Sequence, residues 1–132
     1  MHAKVPFLDL KAQYRSHRQI LDSAISRVVE SSSFILGAEV ERFEADFAQY
    51  CGVRHVVGVG TGLDALRLIL LELGIGAGDE VILPTNTFIA TALAVSAVGA
   101  RPVLVDCRKE DSCIDPTQVE ARVTSRTRAL LP

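Results

Sequence analysis

Three short apolar runs, Glu80-Val81-Ile82-Leu83, Pro102-Val103-Leu104-Val105-Asp106 and Arg128-Ala129-Leu130-Leu131-Pro132, are separated by stretches each long enough for a helix. No other feature of the chain constrains its fold as strongly. Runs of four or five residues rich in valine, isoleucine and leucine read as buried strands. Strands joined through helices lie parallel and connect by right-handed crossovers. A further run, His55-Val56-Val57-Gly58-Val59, precedes Gly60-Thr61-Gly62 and the helical stretch Leu63 to Leu73, and predicts another strand, a glycine turn and a helix. The 132 residues therefore read as an α/β chain with a mostly parallel sheet of four strands.

Helices come first. From Tyr14 onward, Ile20, Leu21, Ala24, Ile25, Val28 and Val29 recur at intervals of three and four, the stripe of an amphipathic helix, which Ser31-Ser32-Ser33 ends. Val40, Phe43, Phe47 and Tyr50 draw a second stripe among acidic residues, with Gly52 placed as its left-handed stop. The expected partition is residues 1–52, an N-terminal segment with two helices, and residues 53–132, a partial α/β domain. Pro84 stops the strand that begins at Glu80, a helix is capped near Thr85 to Thr87, and Gly99 closes it. Asp115-Pro116-Thr117-Gln118 has an acceptor at the cap and proline at the first helical position, the grammar of a helix start. The chain stops on an apolar strand with no covering helix, which would leave an open sheet edge, so it reads as truncated; a small complete α/β domain is the alternative.

Composition narrows the function classes. With 48% apolar and 23% charged residues the chain has material for a core and is not disordered. A net charge of −2 argues against a nucleic-acid surface. The stretch Phe88 to Ala100 is too short to span a bilayer, and MHAKVPFLDLKAQ has no apolar core of a secretory signal. Cys51, Cys107 and Cys113 form neither a disulfide framework nor a metal pair, so free and mostly buried thiols in a reducing cytoplasm are expected. His2, His17 and His55 are too scattered for a metal site.

The chemistry centres on Gly58-Val59-Gly60-Thr61-Gly62-Leu63-Asp64-Ala65-Leu66. Backbone N–H groups at a helix N-terminus, backed by the helix dipole, suit a phosphate. A dinucleotide fingerprint would need glycine where Leu63 stands, a nucleoside-triphosphate loop would need a nearby lysine, and a plain tight turn remains the bland reading. Proline at Gly62 is predicted to abolish anion binding by removing an N–H and distorting the helix start. One strand further on, Pro84-Thr85-Asn86-Thr87-Phe88 lies where ligands of open α/β sheets sit. Phe88 could stack on a flat phosphorylated ring such as pyridoxal phosphate, or fill the core at a helix start; the residues alone leave the two readings level.

Four blocks, VPFLDLKAQY, FILGAEVERFEADFAQYCGV, GVGTGLDALRLILLELGIGAGDEVILPTNTFIATALAVSAVGARPVLVD and IDPTQVEARVTSRTRALLP, together resemble the start of the DegT/DnrJ/EryC1/StrS family of sugar aminotransferases. The resemblance covers essentially the whole chain. It implies the N-terminal part of the large cofactor-binding domain of a fold-type-I, pyridoxal-phosphate-dependent transferase. Such an enzyme moves an amino group from glutamate onto a ketone of a nucleotide-linked sugar, in a cytoplasmic homodimer. It implies that Thr61, Gly62, Leu63 and Asp64 hold the cofactor phosphate, largely through backbone N–H groups, and that Phe88 stacks on the pyridine ring. The family often has threonine at Leu63, so a hydroxyl contact is lost there while the backbone donor remains. The style of the phosphate block points to amination at C-3 of keto-6-deoxy sugars on dTDP. The family's Asp for the pyridine nitrogen, its Gln or His on the ring and its Schiff-base lysine match positions beyond Pro132, and Lys4, Lys11 and Lys109 read as solvated surface charge. Asp9 and Tyr14 are expected to precede the first helix, where the resemblance implies a segment turned towards the sugar or the partner subunit and the residues alone favour surface capping. Phe34-Ile35-Leu36-Gly37 resembles a family loop near the dimer-related site and equally suits a connector. A non-catalytic α/β module with a phosphate-binding turn or a protein-interaction role is the alternative function.

Overall fold

The computed structural model describes residues 5–132. The chain divides into two compact units between Gly58 and Val59.

The first unit is helical. Helix α1 spans Leu10–Ser31, and Asp9 is its N-cap, accepting from the Ala12 N–H at 3.0 Å. Tyr14 therefore lies inside α1 instead of ahead of it, its hydroxyl donating to Asp22. Ser32, left-handed at φ 54°, ends the helix where the serine run predicts. Helix α2 spans Ala38–Cys51 and stops at Gly52, whose φ of +67° needs no Cβ-bearing side chain. Arg27 of α1 and Glu39 of α2 pair at 2.7 Å. Phe43, Phe47 and Tyr50 stack along α2 with centroids 5.4 and 6.0 Å apart.

The second unit holds α3 (Gly62–Glu72), β1 (Glu80–Pro84), α4 (Ile89–Ala97), β2 (Arg101–Val105), α5 (Pro116–Arg122) and β3 (Thr127–Leu130). Its sheet has the order β2-β1-β3, both pairs parallel, as the alternation requires. Glu80 pairs with Arg101 and Pro84 with Val105 across β2. On the β3 side the register shifts between Glu80 and Val81. Every residue of β1 is buried, the mark of a central parallel strand covered on both faces. Val81 and Leu83 face one core with Leu70, Ile75, Ala94, Val95 and Ala100, while the intervening Ile82 points to the other face.

Three further sequence expectations need correction. The sheet has three strands, because His55 to Val59 joins no ladder among the described residues. A strand exists only where a neighbour supplies its hydrogen bonds, and here the Gly58 N–H goes instead to the Glu44 carboxylate of α2 at 2.7 Å. The cap of α4 is Phe88, with no side-chain hydrogen bond, and not Thr85 to Thr87; Thr87 bonds Thr91 through its hydroxyl at 2.9 Å. Of the three free cysteines, Cys51 and Cys113 are exposed and Cys107 is half-buried, so the thiols are not mostly buried. Cys51 ends an exposed helix and Cys113 sits in the polar loop after β2, where no core is available to receive them. The start of α5 matches its sequence grammar: Asp115 accepts from the Thr117 N–H, and Pro116 occupies the first turn.

Candidate functional site

Helix α3 begins at Gly62 with Thr61 as its cap. The Thr61 hydroxyl accepts from the Asp64 N–H at 3.1 Å and donates to the Asp64 carboxylate at 2.9 Å. This reciprocal clasp is close to a capping box. The Thr61 carbonyl takes the Ala65 N–H. Among the described residues that leaves the Gly62 and Leu63 N–H groups without an acceptor, at the positive end of the helix dipole. A Cβ placed on Gly62 would meet nothing within 4 Å, so the approach to these donors is open.

Phe88 caps the next helix, α4. Gly76, just past α3, lies against the Val98 carbonyl at the end of α4, and Gly99 lies against Ala77. The C-terminal ends of α3 and α4 are therefore adjacent. The two helices pack against one another over the shared core of Leu66, Leu70, Ala92, Ala94 and Val95. Strand β1 finishes at Pro84, and Phe88 has 79% of its surface exposed. Phe88 is therefore not part of the core described for this unit. The strand end is braced by Thr85, whose N–H donates to the Val105 carbonyl at 2.9 Å and whose hydroxyl donates to Asp106 at 3.3 Å and touches the Cys107 sulfur at 4.0 Å.

Thr61, Gly62, Leu63 and Asp64 form the start of α3, and Phe88 stands just past the C-terminal end of β1, the side on which open α/β sheets bind ligands. Lys11 and Lys109 are exposed, while Lys4 and His2 lie outside the described residues. His17 and His55 are exposed, and no group of metal-holding side chains occurs among the described residues. The loop from Phe34 to Gly37 connects α1 and α2 with its apolar side chains exposed. No helix among the described residues is long and apolar enough to cross a membrane.

The opposite edge of the sheet holds a feature that the sequence does not announce. Glu80 is 1% exposed and receives the Thr124 hydroxyl at 2.7 Å, Arg101 at 2.6 Å and Arg126 at 2.7 Å. The Thr124 hydrogen bond, followed by those from Arg101 and Arg126, holds its carboxyl down to about 2. It ties β1 to the start of β2 and to the approach to β3. Its partners lie 21 to 46 residues away, beyond the reach of any local pattern.

One prediction belongs to the clasp. Thr61→Ala should cost about 1 kcal/mol of stability through the lost cap. It should weaken phosphate binding less than loss of a backbone donor does. Melting curves and phosphate titration of the full-length protein check this; equal losses of affinity from Thr61→Ala and from Gly62→Pro would contradict it.

An α/β unit with a parallel sheet and a helix N-terminus offering free N–H groups is an architecture this chain shares with the large domain of solved aminotransferases. The crystal structure of Streptomyces venezuelae DesV in complex with a ketimine intermediate superposes with a TM-score of 0.94 at 55% identity, over 99% of this chain and 35% of that one. Bacillus subtilis ntda with bound cofactor PMP gives 0.92 at 35% identity, over 100% and 31%. Residues 16–132 match the DegT/DnrJ/EryC1/StrS aminotransferase family, and the chain belongs to that family. It is 56% identical over 129 residues to a dTDP-3-amino-3,4,6-trideoxy-alpha-D-glucose transaminase of Streptomyces venezuelae, covering 98% of this chain and 34% of the relative. To a dTDP-3-amino-3,6-dideoxy-alpha-D-galactopyranose transaminase of Aneurinibacillus thermoaerophilus it is 49% identical, over 96% and 35%. The chain spans about a third of the length of these curated relatives.

Proposed function

We propose that the chain is the N-terminal portion of a pyridoxal-phosphate-dependent aminotransferase acting on a nucleotide-linked keto-sugar, with glutamate as amino donor, working as a cytoplasmic homodimer. In this reading residues 1–52 are its N-terminal segment and residues 53–132 the first part of its cofactor-binding domain. The observation that carries it is the fold match to a relative with bound PMP; the two free N–H groups at the start of α3 and the exposed ring of Phe88 support it.

The residues present fit the cofactor. A phosphate needs donors that are open and unspent, and Gly62 and Leu63 supply them. A flat aromatic ring needs an accessible face, which Phe88 offers. Thr61 orients the donors by fixing the helix start, and Thr85 with Asp106 braces the strand end that leads into Phe88. When bound, pyridoxal phosphate supplies the electron sink for amino transfer. The lysine that carries it must attack as a neutral, desolvated amine. Lys11 and Lys109 are both exposed, so neither is suited to that task.

Phe88→Ala should weaken cofactor retention by about 1 kcal/mol, roughly fivefold, through lost stacking. It should leave the melting temperature of the unloaded protein unchanged, because the ring is already in solvent. Cofactor dissociation measured on the full-length protein decides this, and an unchanged rate removes Phe88 from the site. Reading the coding sequence past codon 132 tests the proposal as a whole. In-frame Asp, Gln or His, and Lys in family spacing support the enzyme, whereas a stop codon favours a non-catalytic module.

A further inference from the structure

We propose that the Asp64 carboxylate is a built-in rival of the cofactor phosphate: it steadies the start of α3 in the unloaded protein and weakens the grip on phosphate once that is bound. The proposal rests on the reading that this turn receives the phosphate, and it assigns Asp64 the opposite role to that of a ligand.

Three observations carry it. The Asp64 N–H is already spent on the Thr61 hydroxyl at 3.1 Å, so Asp64 is not a free donor in the way that Gly62 and Leu63 are. Its carboxylate folds back along the turn. One oxygen accepts from the Thr61 hydroxyl at 2.9 Å and lies 3.4 Å from the position a Cβ would take on Gly60, which draws the charge back toward the residues that lead into the helix start, near but not on the open N–H groups of Gly62 and Leu63. And Asp64 makes no ion pair among the described residues; Arg67, one turn further along α3, does not reach it. The half-buried carboxylate therefore has the helix dipole as its electrostatic partner.

A phosphate competes for that same partner. It brings one or two further negative charges to a turn where one already sits, and like charges a few ångströms apart at a partly desolvated surface oppose each other. The Asp64 charge thus works in two directions. It favours the helix start when it is the only anion there, and it raises the free energy of the phosphate-bound state. A cofactor held this way exchanges more readily than one held by the donors alone.

The test is Asp64→Asn, which keeps an oxygen to accept the Thr61 hydroxyl and removes the charge, with Asp64→Glu as the charged control. Pyridoxal phosphate and inorganic phosphate are titrated separately into the full-length protein at low and high salt, and melting temperatures are recorded without either. Asp64→Asn should bind both roughly three- to tenfold more tightly at low salt. The gain should shrink as salt screens the charge, and the unloaded protein should melt lower. Asp64→Glu should stay near wild type in affinity. A purely structural cap would lower stability and affinity together, so unchanged or weaker binding by Asp64→Asn overturns the proposal. If the wild-type protein binds neither probe saturably, the phosphate reading itself fails, and this inference falls with it.

Discussion

Replacing Gly62 by proline is expected to cut the affinity for pyridoxal phosphate by roughly ten- to a hundredfold, the worth of one hydrogen bond to a charged group, while leaving the helix intact. The sequence suggests a second effect, distortion of the helix start, but the structure removes it. Gly62 is the first residue of α3, the position where proline's fixed φ is pre-organised for a helix and its missing N–H breaks no intrahelical bond. Thr61 is extended at φ −152°, ψ 161°, which suits a residue preceding proline. A Cβ at position 62 meets nothing. The variant therefore deletes one donor and little else. Binding titration and a melting curve on the full-length protein check it, with Gly62→Ala as the control that keeps the N–H. Undiminished affinity in Gly62→Pro would mean that the turn does not hold the phosphate.

The second large effect is on stability. Glu80→Gln should lower the melting temperature at neutral pH by more than the loss of an exposed pair such as Arg18–Asp22, since pairs of that kind contribute little. Glu80 is fully ionised in the fold at neutral pH and joins β1 to β2 through Arg101 and to the turn leading into β3 through Thr124 and Arg126. Its folded value of about 2 lies below the ordinary 4.5. A depressed carboxyl stabilises the fold above its unfolded value, and that contribution fades as pH falls from about 4.5 through about 2. Wild type should therefore lose stability across this window more steeply than Glu80→Gln, whose neutral amide has no proton to take up. Melting temperatures between pH 2 and 7 test it, and parallel curves for the two proteins would remove Glu80 from the acid response.

Much of this protein is decided by local chemistry and is legible in the sequence. The order of helices and strands follows from hydrophobic spacing, and the parallel sheet follows from the helices between its strands. Gly52 ends α2 because only a residue tolerant of positive φ fits there, and Asp115-Pro116 begins α5 because a cap and a fixed φ act within one turn. The likeness of four blocks to one aminotransferase family rests on the same linear information.

Contacts between distant residues decided the rest. The run His55 to Val59 has strand chemistry but no ladder partner among the described residues, and Glu44 claims its amide instead. Glu80 looks like an ordinary charged residue at the mouth of a strand until partners up to 46 residues away close over it. Phe88 reads equally as a stacking ring or as core, and the fold leaves it exposed at the cap of α4. At the start of α3 the resemblance offers Asp64 as a fourth donor, whereas in the fold its amide donates to the Thr61 hydroxyl, which donates in turn to its carboxylate. Periodicity and capping act over a single turn and can be read along the chain; burial, strand pairing and the direction of a hydroxyl's bond depend on neighbours that only the folded chain supplies.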